Sequence, residues 1–163
     1  MVRGIHTENT ENVTMFNLRK YAARDLLPLT IHLREADKNY ILAMTNTMPF
    51  IALSNSFADA DTAVTIVNED DTPVAVFAVS GGNVWLQTCC LTDGRALDVI
   101  RAGKEILKRL GDAELYCVVP VKDTRVRLLC KAMGFNEQVE FTDNFNGTGI
   151  AHVELKRRTN CLN

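Results

Sequence analysis

Between residues 64 and 90 apolar side chains recur at every second position, and two breaks cut the run into three segments. Val64 and Ile66 share one face, a loop follows from Asn68 to Pro73, and Val74, Val76 and Ala78 share a face of the next segment. Gly81-Gly82-Asn83 tolerate positive φ and turn the chain into a third segment, residues 84–90, which carries Trp85. Period two with short breaks predicts three consecutive antiparallel strands. Outside this block the apolar period lengthens to three and four, the spacing of amphipathic helices. A strand block set between helices requires an α/β (α+β) layer in which helices cover a sheet.

The flanks supply the remaining elements. Residues 16–21 form a short strand candidate. Asp25 then caps a helix that accepts Pro28 in its first turn and runs to about Met44. Its stripe is Leu29, Leu33, Ala36, Tyr40 and Met44, with Arg34, Glu35, Asp37 and Lys38 toward water. Residues 49–57 form a shorter helix. Asp93 caps another, with Ala96, Val99, Ile100, Gly103, Leu107 and Leu110 inward and Gly111 as its stop. The nearly continuous apolar run 115–119 predicts a strand covered on both faces, ended by Pro120. Asp123 opens a last helix, with Val126, Leu129, Cys130 and Met133 inward and Gly134 as terminator. Strands follow at 138–142 and 149–156. The order is β-α-α-β-β-β-α-β-α-β-β in one domain, residues 15–158, with a mixed, mostly antiparallel sheet. The polar leader 1–14 is expected to be mobile, and residues 159–163 form a tail.

A chain of 163 residues supports one core. The formal charge of −2 gives no broad field of either sign, so a nucleic-acid partner is not expected. No apolar run approaches the ~20 residues that span a bilayer, and the N-terminus lacks a secretory stretch, so a cytoplasmic protein is expected. The five cysteines form no C-x-x-C pair and read as reduced thiols, with no disulfide and no metal. The sequons at Asn12 and Asn146 read as ordinary turn residues.

Residues 123–135, Asp-Thr-Arg-Val-Arg-Leu-Leu-Cys-Lys-Ala-Met-Gly-Phe, resemble the N-x-x-A-x-x-L-Y-x-K-x-G-F segment of the GNAT acyl-CoA N-acyltransferases. Asp123 replaces the usual Asn, and Cys130 the Tyr that protonates the departing thiolate. The element order is similar to the GNAT fold from Phe16 to Arg158. A second likeness is to small GNAT-like proteins of tailed bacteriophages, including the gene-13-type internal virion proteins. It rests on Leu33-Arg34-Glu35-Ala36-Asp37, on the Trp85 strand running directly into a helix, and on Met133-Gly134-Phe135.

The resemblance implies that acetyl-CoA lies along residues 84–91, with Leu86, Gln87 and Thr88 supplying backbone contacts and Asp123 nearby. It places the pyrophosphate at the start of the next helix, beside Gly94 and Arg95. The family's Q/R-x-x-G-x-G/A loop is here Leu91-Thr92-Asp93-Gly94-Arg95-Ala96-Leu97, with one glycine. As a helix cap, Asp93 would set a carboxylate where phosphate lies, with Arg95 and Arg101 available to offset it. The catalytic candidates are Cys130 as proton donor, Glu35 and His152 as bases, with His32, Asp59 and Asp61 as further possibilities. Cys89 and Cys90 point to opposite faces of a strand, and small core cysteines suffice to explain them.

Two functions follow. The degenerate loop and missing Tyr favour a phage-type binding or virion-assembly protein whose partner is a virion or host protein. The alternative is an acetyl-CoA-dependent N-acetyltransferase that acts, without a covalent intermediate, on an amine of a protein or small molecule. A nucleic-acid module comes third, since no aromatics interleave the Arg95, Arg101, Lys104 and Lys108 face.

Overall fold

The computed structural model describes residues 16–142 and 147–157. The leader, the tail, Cys161, Asn12, Asn146 and the turn at 143–146 lie outside these residues. In chain order the elements are β1 Asn17–Lys20, α1 Leu26–Ile31, α2 Glu35–Thr45, α3 Pro49–Ala58, β2 Thr62–Val67, β3 Pro73–Ser80 and β4 Asn83–Thr88. Then come α4 Ala96–Arg109, β5 Tyr116–Pro120, α5 Thr124–Ala132, β6 Phe135–Thr142 and β7 Ala151–Arg157. One seven-stranded sheet runs β1-β2-β3-β4-β5-β7-β6. Only β4 and β5 pair in parallel, so the mixed, mostly antiparallel sheet expected from the sequence is present.

The β2-β3-β4 block forms because its period-two pattern is closed by the right turns. Ser80 pairs with Asn83, and Gly81 and Gly82 between them have φ of 54° and 82°, the two positive values that a twist-matched two-residue hairpin needs. β3 is buried along its length, on both faces rather than the one that alternation suggested. It lies inside the sheet, and the common core takes Leu29 from α1, Leu53 from α3, Ile106 from α4 and Met133 from α5. Each such large side chain, fully buried, contributes roughly 1.5–3 kcal/mol.

Three further expectations are corrected. The helix drawn from Asp25 to Met44 is two helices, because residues 32–34 leave helical geometry. Arg34 is extended (φ −66°, ψ 149°), and the His32 carbonyl accepts the Cys90 amide at 2.9 Å instead of continuing the helix. Asp25 does not cap α1 with its side chain. It is buried and accepts from Arg19 (2.7 Å), Thr65 (2.8 Å) and the Ala22 amide (2.9 Å), tying the chain before α1 to β1 and β2. β5 is covered on one face only: Cys117 and Val119 are buried, while Val118 is exposed.

Candidate active site

The exposure of Val118 has a cause in the sheet. β4 and β5 share a single register pair, Asn83 with Tyr116, held by the Tyr116 amide on the Gly82 carbonyl at 3.0 Å; beyond it the strands diverge. The divergence opens a cleft of about 1100 Å³, lined by β4 and β5 and roofed by residues of α2, α3 and α5. The Cys89 amide bonds the Val74 carbonyl (3.1 Å), so by the alternation of an antiparallel ladder the odd-numbered residues of β4 bond to β3. The backbone groups of Leu86 and Thr88 therefore face the split, opposite the Val118 amide of β5. Two diverging strand edges with polar groups turned inward suit an extended ligand that carries amides, inserted like an extra strand.

Leu86, Gln87, Thr88 and Asp123, singled out from the sequence, all line this cleft. Asp123 caps α5 as expected, accepting the Val126 amide at 3.1 Å. Cys130 lines it too, turned toward β5 with its Sγ 3.7 Å from that of Cys117. Their hydrogen bond and burial push the Cys117 thiol well up, so it stays protonated.

His152 is buried on β7, and its Nδ1 lies 2.9 Å from the Ile150 carbonyl, which can only accept. Nδ1 therefore carries the hydrogen. In the neutral ring Nε2 then presents a lone pair to the Tyr40 hydroxyl, 3.0 Å away. Tyr40 lines the cleft from α2. Its hydroxyl can donate to that lone pair, which couples α2 to β7 at the cleft.

Three expectations are corrected here. Glu35 is exposed, pairs with Lys38 (3.5 Å) and does not line the cleft; nor does His32. Arg95 is engaged elsewhere, bonded to Glu69 (3.0 Å) and Asp98 (3.1 Å) with its guanidinium over the Phe16 ring, and Arg101 lies 3.5 Å from Asp98. Asp93 makes no cap bond to α4, whose N-cap position is Arg95. Of the remaining acids, Asp59 lines the cleft, whereas Asp61 accepts the Gly81 amide at 2.8 Å and fastens the hairpin turn. Gly94 sits in open space at φ +76°, between Asp93 and α4.

Asp93 instead meets Arg34, a residue that the helical pattern had sent to solvent. Arg34 bonds Thr88 Oγ1 (3.0 Å), the Cys89 carbonyl (2.9 Å), Thr92 Oγ1 (3.1 Å), Asp37 (3.2 Å) and Asp93, joining the start of α2 to the end of β4. Its hydrogen bonds, with help from Arg125, hold the Asp93 carboxyl below the ordinary carboxylate range. Tyr40 was the other residue missed; it read as one more member of an apolar stripe. Among the described residues no group of three His, Cys, Asp or Glu side chains is arranged to hold a metal, and no helix is long and apolar enough to cross a membrane.

A seven-stranded mixed sheet with helices packed on it and a parallel pair that splays open is the GNAT fold. Solved structures superpose along most of the chain. The spermidine N-acetyltransferase of Vibrio cholerae in complex with CoA and spermine matches with a TM-score of 0.69 at 13% identity, over 90% of this chain and 96% of that one. A phosphinothricin acetyltransferase from Sinorhizobium meliloti in complex with acetyl-CoA gives 0.65 at 17% identity, over 88% of each chain. The microcin C7 self-immunity acetyltransferase in complex with acetyl-CoA and AMP gives 0.67 at 11%, over 88% and 92%. No protein-family model and no curated protein matches the chain. Identities this low establish the fold alone.

Proposed function

We propose that the protein is an acetyl-CoA-dependent N-acetyltransferase that acts on an amine. The observation that carries this reading is the divergence of β4 from β5 after the Asn83–Tyr116 pair, which turns the Leu86 and Thr88 backbone toward an open cleft. Acetyl-CoA would supply an acetyl group already activated as a thioester. The chain's part is to hold the pantetheine amides against Leu86, Thr88 and Val118 and to point one backbone donor at the thioester carbonyl. The acceptor amine must lose a proton to attack. The hydrogen-bonded Tyr40–His152 pair at the cleft is the candidate that would receive it, with Nε2 of His152 as the basic nitrogen. Transfer is direct: the amine nitrogen bonds the acetyl carbon as the thioester C–S bond breaks, CoA leaves as a thiolate that takes up a proton from solvent, and Cys130 packs against Cys117 without acting as a nucleophile.

The binding or virion-assembly reading draws on the altered Leu91–Leu97 loop, and no structural neighbour named above supports it. Thermal unfolding separates the two. A ligand present at a hundred times its Kd adds ~2.7 kcal/mol of stability, so millimolar acetyl-CoA should raise the Tm by several degrees. No rise at that concentration would sink the catalytic reading and leave the fold as a binding scaffold.

A further inference from the structure

Two thiols face each other in the wall of the cleft. Cys117 is on β5 and Cys130 is in the last turn of α5, 13 positions further along the chain, and the Cys117 thiol donates to the Cys130 sulfur across 3.7 Å. Among the described cysteines only these two share a hydrogen bond; Cys89 is buried apart from them and Cys90 is exposed. Cys117 and Cys130 are 6% and 7% exposed, yet both line the cleft, so a small molecule reaches them through it. A disulfide is about 2.05 Å long, so bonding the pair would draw the sulfurs together by roughly 1.7 Å. Val126, Leu129 and Met133, on the same face of α5 or just past its end, also line the cleft and would move with Cys130 toward β5.

We propose that Cys117 and Cys130 form an oxidisable dithiol, and that its disulfide narrows the cleft and weakens ligand binding there. The regulation rests on the coenzyme reading of the cleft; the dithiol chemistry does not. The oxidant is a peroxide. Hydrogen peroxide is little larger than water and enters the empty cleft, where a bulkier disulfide reagent does not. The Cys130 sulfur, as thiolate, attacks one peroxide oxygen and the O–O bond breaks. Cys130 becomes a sulfenic acid, and the departing hydroxide takes up the proton that the thiol released. The Cys117 sulfur then attacks the sulfenic sulfur, the S–S bond forms as the S–O bond breaks, and the second hydroxide takes the Cys117 proton. The pair loses two electrons and two protons, and the peroxide becomes two waters. Cys130 reacts first because the Cys117 hydrogen bond holds its thiol below the ordinary value, against the opposing effect of burial.

The test treats the full chain, wild type and Cys117→Ala, with millimolar hydrogen peroxide, with and without acetyl-CoA. Peptide mapping without reductant should find the Cys117–Cys130 link in wild type, formed more slowly when acetyl-CoA fills the cleft. Oxidised wild type should then bind acetyl-CoA roughly tenfold more weakly in a calorimetric titration. Dithiothreitol should restore the affinity, and Cys117→Ala should keep its own affinity through the treatment. Trp85, the single tryptophan of the chain, lines the cleft and reports narrowing without any ligand: acrylamide should quench it less in the oxidised form. Absence of the link overturns the inference, and so do unchanged Trp85 quenching and unchanged affinity once the link has formed. If the link forms and shields Trp85 but neither form binds acetyl-CoA, the dithiol stands and the coenzyme reading fails. If the reduced protein binds acetyl-CoA and peroxide leaves the two sulfurs unlinked, the coenzyme reading stands and the dithiol fails.

Discussion

The Tyr40 hydroxyl lies 3.0 Å from His152 Nε2 and couples α2 to β7 at the cleft. The two residues are 112 positions apart, so only the folded chain makes them a pair. If this pair removes the amine proton, Tyr40→Phe should lower kcat about a hundredfold while the KM for acetyl-CoA stays the same, because the phenol touches the acceptor and not the coenzyme. Losing one hydrogen bond to a buried ring should cost only about 1 kcal/mol of stability. Steady-state kinetics beside a denaturant melt check both parts; an unchanged kcat would remove Tyr40 from the mechanism.

Asp25 gives the fold a defined response to acid. Burial pushes its pKa up, but the Arg19 hydrogen bond and those from the Ala22 amide and Thr65 outweigh that and hold it below the ordinary value of 3.8. A carboxyl depressed by folding stabilises the protein fully above its unfolded pKa of about 3.9, and the contribution is lost as pH falls through the lower folded value. Stability should therefore be flat from neutrality to about pH 5 and drop below about pH 4. Asp25→Asn should cost about 2–3 kcal/mol at pH 7, and its denaturation midpoint should converge on the wild-type midpoint in acid. Parallel curves at every pH would show that the charge of Asp25 contributes nothing.

Most of the element order and the hairpins were legible because they depend on period, turn residues and caps, all local properties, while the GNAT fold was legible through the resemblance that residues 123–135 and that order carry. Gly81-Gly82 and the Asp123 cap needed no tertiary information to be read. The cleft's strand residues were legible through the resemblance. What failed was long-range. Arg34 fits a solvent-facing helix position, and nothing near it announces that Cys90 will take the His32 carbonyl or that Asp93 will draw in its guanidinium. Asp93 looked like an N-cap because such residues usually are, and the ion pair overrode a weak local preference. Glu35 and Arg95 were chosen for chemistry and excluded by direction alone.

The turn at Gly81-Gly82 should show that its two glycines are not equivalent. Both have positive φ, which costs an L-residue roughly 1–2 kcal/mol. A Cβ on Gly81 meets open space, whereas one on Gly82 would come within 3.1 Å of the Glu114 carbonyl, beside the Tyr116 amide bond that starts the split. Gly82→Ala should therefore destabilise by at least 1 kcal/mol more than Gly81→Ala and weaken acetyl-CoA binding, while Gly81→Ala leaves binding alone. Equal melts for the two variants would mean that the β4–β5 junction tolerates displacement.

Cys130 decides whether the proton donor of the resembled family has been replaced or dispensed with. It is buried beside Cys117, which donates to its sulfur, so a reagent dissolved in water reaches it slowly whatever its ionisation. Among the described cysteines, Cys90 is the exposed one and should react first with a water-soluble disulfide reagent, while Cys89, Cys117 and Cys130 wait for unfolding. Cys130→Ser should lose about 1–3 kcal/mol, since a hydroxyl enters a site built around sulfur and apolar neighbours, yet kcat for acetyl transfer should not change. Cys130→Tyr should be destabilised by a comparable amount through overpacking against Cys117 and Met133. Should Cys130→Ser instead remain fully stable and lose most of its transfer rate, the thiol would be the group that protonates the leaving coenzyme, and water could not be filling that role.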